Sequence, residues 1–193
     1  RRPEVVQAIA DAIRAVPNAR VLDVSSDLDH NRTVITFVGD AESVEAGAFA
    51  AIARAAELID LDQHEGEHPR IGATDVVPFI PIRGATMNDC VALARRLGER
   101  VGRELNIPVY LYESAAARPD RVNLADIRQG EYEGSKAEIE SNPDRQPDFG
   151  PANREEASTS VVVDPAADVA PMRPMPCSST KLERIVLAVG KRR

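Results

Sequence analysis

Cysteine, histidine, basic charge and long apolar runs are all scarce in this chain, and each scarcity narrows what it can be. Two cysteines in 193 residues, Cys90 inside a helical pattern and Cys177 in a proline-rich stretch, do not make a disulfide framework and point to a reducing, cytoplasmic compartment. Lysine and arginine total 24 against 31 acids, for a net charge of -7 and a pI near 5.1. That balance lacks the basic footprint of a nucleic-acid binder or of a protein drawn to anionic membranes. No apolar run approaches bilayer-spanning length, and neither an internal repeat nor a signal peptide is visible. The chain opens on Arg1 and enters a helical pattern at once, so the expectation is that the gene product starts upstream.

What is present is a chain long enough to bury a sizeable core, with 43% hydrophobic residues, as one domain or one domain with a tail. Pro3 suits a first helical turn, and Val6, Ile9, Ala10, Ile13 and Val16 recur at helical spacing until Pro17-Asn18. Arg20 to Val24 and Arg32 to Val38 read as two antiparallel strands joined by the polar stretch Ser25 to Asn31. Asp40 is an N-cap for an alanine-rich helix whose buried face carries Val44, Ala48, Ile52, Ala55 and Ile59. Val76 to Ile80 reads as a strand that Pro78 and Pro81 restrict to an edge or a short run. Thr86, with Asp89 three residues on, forms a capping box ahead of a helix burying Cys90, Ala94, Leu97, Val101 and Leu105. Ile107 to Tyr112 is a fourth strand, and Asn123 caps a short helix.

This order, helix, strand, strand, helix, strand, helix, strand, is an α/β (α+β) pattern. With one more strand ahead of the first helix it becomes two split βαβ units, a ferredoxin-like two-layer sandwich with a mixed sheet and helices on one face. The first strand of that arrangement is missing, and its place leaves two sheet edges without a partner. Thr159 to Val163 and Arg184 to Val189 are the tail's β-compatible runs that can fill it. Otherwise the edges pair with another molecule, giving a homo-oligomer. Seven of the fourteen prolines lie in residues 143–193, so 153–193 reads as a divergent tail apart from the body 1–152.

Chemistry concentrates in Leu61 to Pro81, which holds two of the three histidines among acids, an arginine, prolines and glycines. His64-Glu65-Gly66-Glu67-His68 satisfies the zinc pattern H-E-x-x-H literally. That chemistry needs one unbroken helical turn, whereas Gly66 weakens a helix and Pro69 pushes His68 away from helical geometry. Ile71 also stands where the extended zinc motif places glycine. The segment therefore reads as a loop without a metal, either a solvated run of charges or a site held by rigid turns.

The ordered strings along the chain are similar to the N-terminal subdomain of glutamate formimidoyltransferase, in the formiminotransferase and formiminotransferase-cyclodeaminase family. The resemblance rests on Asp29-His30-Asn31-Arg32-Thr33-Val34, Phe37-Val38-Gly39, and the string running from His64 through Gly66-Glu67-His68-Pro69-Arg70 and Gly72-Ala73-Thr74-Asp75-Val76. Pro78-Phe79-Ile80-Pro81, Pro108-Val109-Tyr110-Leu111-Tyr112, Gly130-Glu131-Tyr132-Glu133-Gly134 and Pro147-Asp148-Phe149-Gly150-Pro151 extend it to about residue 152. Long ordered strings are far more specific than one short motif.

The resemblance implies transfer of a formimidoyl group from N-formimidoyl-L-glutamate to tetrahydrofolate, in histidine breakdown and one-carbon metabolism. His68 would be the catalytic histidine, since folate N5 must lose a proton as it attacks the amidine carbon and imidazole titrates near working pH. Gly150, Pro151 and Ala152 carry over as folate contacts. Among Glu67, Arg70 and Asp75, a carboxylate can hold the amidinium and a guanidinium can fork onto a substrate carboxylate, or each can tie the loop together. Both readings stay open. Ser25 stands where many relatives place an acid two residues after the strand aspartate, leaving Asp27 as the nearest replacement. Relatives also carry a first strand and a second, C-terminal subdomain that this chain lacks, with substrate bound between the two. The alternative is therefore a non-catalytic folate-binding or interaction module of the same fold.

Overall fold

The structure, a computed structural model, describes residues 2–63, 69–153, 155, 157–165 and the backbone of 186–189. Helix α1 (Pro3–Arg14) starts with proline in its first turn and buries Val5, Ile9, Ala10 and Ile13. It leads into β1 (Arg20–Asp27) and β2 (Arg32–Gly39), an antiparallel pair registered Arg20 to Val38 and Asp27 to Arg32. The first strand thus runs three residues past Val24, because the alternating polar stretch Ser25–Asp27 keeps pairing until Asp27 turns the chain. There the Asp27 carboxylate accepts the backbone N–H of Asp29 and of His30, at 3.0 and 2.9 Å, the local turn chemistry of aspartate.

Asp40 caps α2 (Ala41–Leu58), accepting the Ser43 N–H at 2.9 Å. Thr86 and Asp89 close a reciprocal capping box on α3 (Met87–Glu104), and Asn123 caps α4 (Leu124–Ile127) through the Ala125 N–H. Between α2 and α3 lies β3 (Asp75–Pro81), and after α3 come β4 (Val109–Leu111) and α5 (Glu131–Glu138). Two strands come from the proline-rich region, β5 (Val161–Pro165) and β6 (Val186–Val189).

The sheet order is β1-β2-β6-β3-β5-β4. Among the described strands β1 and β2 pair antiparallel; β6 runs parallel to β2 and β3, and β5 parallel to β3 and β4. Of the two readings of the proline-bounded third strand, an edge or a short run, the edge is overturned, since β3 is flanked on both sides. Pro78 lies opposite Asp164 of β5, while pairing to β6 begins only at Phe79, so at Pro78 the β6 ladder has not yet started. The tail runs read as β-compatible enter the sheet: the first forms β5, and the end of the second forms β6 in the central place between β2 and β3. A strand crossing over through α1 would run parallel to β1, hence antiparallel to β2, so β6 holds that place in the opposite direction.

The main core lies between the sheet and α1, α2 and α3, where Phe37, Phe79, Ile13, Ile52, Leu93, Leu97 and Cys90 are buried with Val77, Val109, Leu111, Val161 and Val163. Each fully buried aromatic or branched side chain contributes about 1.5–3 kcal/mol relative to exposure. The alternate residues Val76, Tyr110, Tyr112 and Val162 point the other way and pack with Ile71 and Ile127. Helices α1–α3 thus share one face as expected, and the opposite face is also covered where β3, β5 and β4 meet. That second cover explains the unbroken valine run of β5, buried on both faces as parallel strands are.

Candidate functional site

The gap between β2 and β3 is bridged by β6 only along part of its length. Pairing to β6 spans Thr36–Gly39 of β2 and Phe79–Pro81 of β3. Upstream, the first halves of both strands face each other across a cavity of about 530 Å³. Its floor is apolar: Val5 and Ile9 of α1, Ala51 and Ala55 of α2, Ile35 and Val76. Its mouth is polar, formed by His30, Asn31, Arg32 and Thr33 from the β1–β2 connection and by Gln63, Arg70, Gly72–Asp75 from the entry to β3.

The mouth is held by side chains remote in sequence. Arg70, whose side chain is 12% exposed, donates to Glu131 at 3.2 Å and to Glu133 at 2.8 Å. Asp75 accepts the Ile71 N–H at 2.9 Å and pairs with Arg128. It does so from a left-handed backbone, φ 58°, a conformation aspartate tolerates better than most residues. Gly72 lies so close to the 157–160 turn that a Cβ there would meet the Ser160 carbonyl oxygen at 1.7 Å, and the Ala73 N–H donates to the Ser158 carbonyl at 3.0 Å. At the preceding turn, Asp62 takes Tyr132 at 2.6 Å and Lys136 at 2.6 and 2.7 Å. These donors, the ammonium foremost, hold the Asp62 carboxyl below its ordinary range, and the same contact raises Lys136. Opposite, the His30 imidazole lies 3.1 Å from the Asp27 carboxylate, whose pKa is lowered mainly by the His30 backbone N–H. The carboxylate expected to stand in for the acid absent at Ser25 is therefore engaged within its own turn.

Of the residues singled out in the sequence, Arg70 and Asp75 line the cavity, as ion-pair members as well as mouth residues. His64, Glu67 and His68 lie outside the described residues. Gly150, Pro151 and Ala152 do not line the cavity. Gly150, at φ 83°, presses on the Ile107 carbonyl, where a Cβ would sit 2.1 Å away. Asp148 before it accepts the Leu111 N–H at 2.8 Å and the buried Arg121 guanidinium at 2.7 Å. Ala152 shares a small apolar cluster with Leu61, which does line the cavity. Among the described residues no group of three or more His, Cys, Asp or Glu gathers to hold a metal, and no helix is long and apolar enough to cross a membrane.

Sequence reasoning left Arg32, Arg128, Glu131 and Glu133 without roles. The strings Asp29 to Val34 and Gly130 to Gly134 already contained three of them, and only the fold shows what they face.

A mixed α/β sheet with a half-bridged gap and a charged mouth has the make-up of a small-ligand domain, its polar groups carried on loops between rigid elements. The chain belongs to the formiminotransferase domain family, N-terminal subdomain, whose model matches residues 1–165. It is 52% identical over 159 residues to glutamate formimidoyltransferase of Thermoplasma acidophilum, covering 81% of this chain and 52% of that protein. The Streptococcus pyogenes glutamate formimidoyltransferase is 44% identical over 146 residues, 76% of this chain and 48% of its own length. Rat formimidoyltransferase-cyclodeaminase is 49% identical over 150 residues, 78% of this chain and 28% of its own. The chain thus spans about half the length of the first two and little more than a quarter of the third.

Proposed function

We propose that this chain is the catalytic-histidine half of a cytoplasmic enzyme that moves the formimidoyl group of N-formimidoyl-L-glutamate to tetrahydrofolate, a step of histidine degradation. The observation that carries the reading is convergence. His30–Thr33 and Arg70 with Gly72–Asp75, from two of the strings on which the resemblance rests and some forty residues apart, form the two lips of one cavity mouth. In the proposed reaction the folate N5 lone pair attacks the amidine carbon, the bond from that carbon to the glutamate nitrogen breaks, and glutamate leaves. His68 takes the proton from N5 and returns it to the departing nitrogen. Gly150, Pro151 and Ala152 serve the folate, Glu67 the amidinium, and Arg70 and Asp75 shape the mouth through their ion pairs. The reaction as written needs no metal. A C-terminal subdomain, as in the longer relatives, would supply the other wall.

The test is glutamate release from N-formimidoyl-L-glutamate with tetrahydrofolate, followed for this chain alone and with a C-terminal subdomain added. His68→Ala is expected to lower the rate by about 10²–10⁴-fold while leaving the fold intact, and full activity of that variant would overturn the assignment. Because the chain spans half of its nearer relatives, a second reading is a non-catalytic folate-binding module. It predicts folate binding without glutamate release in either mixture.

A further inference from the structure

We propose that Arg32 is the carboxylate-recognising residue of this cavity, taking one carboxylate of an amino dicarboxylate as a forked ion pair. The inference rests on the reading of the substrate as a glutamate derivative and names the residue that would select it. It starts from a charge census of the mouth. Arg2 donates to Glu4 and to the Leu58 carbonyl, each at 3.2 Å. Arg70 is spread over Glu131 and Glu133. Asp75 is matched by Arg128, and Asp60 accepts Gln63 at 2.7 Å and the Asp62 N–H at 3.0 Å. His30 sits beside Asp27. Among the described residues the Arg32 side chain alone of these makes no hydrogen bond or ion pair, and its Nε, like the Arg70 Nε and the His30 Nδ1, is shielded from solvent without a hydrogen-bonded acceptor.

The hairpin explains why its cross-strand neighbour does not neutralise it. Arg32 is registered opposite Asp27 in the β1–β2 ladder, so Asp27 is the acid placed to meet it. The Asp27 carboxylate is instead spent on the N–H groups of Asp29 and His30. A shielded donor without an acceptor is a cost that native structures rarely keep. Here it lies on the wall of a cavity, where an acceptor can arrive from outside. The guanidinium offers planar paired donors that match a carboxylate two to two. Arg70 cannot serve the same purpose without giving up its glutamates. Among the described residues of the mouth Arg32 is therefore the guanidinium without a partner acid, and an anionic ligand is the chemistry that completes it.

The experiment uses the full chain at low ionic strength, with glutarate as a probe that has two carboxylates and no amidine, and formamidine as a probe with the amidine and no carboxylate. Glutarate is expected to bind. Arg32→Gln should weaken it about ten- to a hundredfold, the loss of a charged fork, and Arg32→Lys should recover part. Formamidine, a cation at neutral pH, should bind no more weakly to either variant. Arg32→Met should melt no lower than the native chain when ligand is absent, because an unmet charge is removed. A structural arginine would behave otherwise: Arg32→Met would melt lower. Glutarate binding that survives Arg32→Gln, no glutarate binding by the native chain, or a lower melting temperature for Arg32→Met would each overturn the proposal. Arg32-dependent glutarate binding without any formimidoyl transfer would sustain it while sinking the transferase reading.

Discussion

At the scale of single residues, the site is fixed by contacts that have no local signature. Asp40, Thr86 and Asn123 were legible as caps because a cap is a relation between residues two or three apart. Arg70 and Asp75 were recognisable as important but not assignable, since their partners Glu131, Glu133 and Arg128 lie over fifty residues away. Gly72 is the sharpest residue-level test of the loop. Gly72→Ala should cost about 1–3 kcal/mol, the range for overpacking, or displace the Ser158–Ser160 turn, because the added Cβ meets a backbone oxygen that has no rotamer to yield. Gly134→Ala, in a helix and with its nearest atom at 3.8 Å, should instead stabilise by about 0.4–1 kcal/mol. Urea titration of both variants checks the contrast, and equal effects would show that the 72–160 contact is not close.

Asp62 gives a second residue-scale prediction, with its sign set by the lowered carboxyl. Its folded pKa lies below the ordinary 3.8, so its contribution is present above that value and is lost as pH falls through the folded pKa. The stability gap between the native chain and Asp62→Asn should hold steady from neutral pH to about 4, then close below it. Lys136, shifted upward by the same contact, keeps its share until strongly alkaline pH. Both groups are exposed, so added salt should narrow the gap at neutral pH. Thermal melts of the two proteins between pH 2 and pH 7, at roughly 0.05 and 0.5 M salt, would show it, and a gap that widened in acid would contradict the assigned contact.

At the scale of elements, the long periodic helices α1, α2 and α3 were plain in the sequence, since three or more turns of apolar recurrence leave little ambiguity. Helix α5 was not, because Gly130 and Gly134 bracket its first turn and its buried residues Tyr132 and Ser135 are few. The valine run of β5 was readable as a strand, but its place between β3 and β4 depends on pairing that no local pattern encodes. The half-bridged gap beneath α1 has its own consequence. The Val5 and Ile9 face of α1 stands over the cavity rather than over a paired strand, so α1 relies on α2 for its packing. Amide exchange is expected to be faster in α1 than in α3, whose apolar face lies on β3, β4 and β5. A valine-rich strand added ahead of Pro3 should fill the gap and slow exchange in α1. Equal protection of α1 with and without that strand would sink this account.

For the whole molecule, the α/β class and the family were legible because long strings survive in order, whereas the sheet's two outer edges could be told apart only in three dimensions. One edge is covered. Beyond β4, Val109 is bridged to Phe149, donating to its carbonyl at 2.9 Å and accepting its N–H at 3.2 Å, so Asp148–Gly150 acts as a guard over that side. At the other end β1 pairs only with β2 among the described residues, is eight residues long, and exposes Leu22 and Val24. Its irregular register between Val21 and Asp23 and its charges Arg20, Asp23 and Asp27 temper the edge without closing it. A strand of this kind pairs with another strand when one is supplied, such as one from a second copy of the chain. The chain alone is therefore expected to associate as its concentration rises. Replacing Leu22 and Val24 together with lysine should return it to monomer, and sedimentation velocity across about a hundredfold concentration range resolves the two states. A native chain that stays monomeric throughout, or a double variant that associates as the native chain does, would rule out β1 as the open edge.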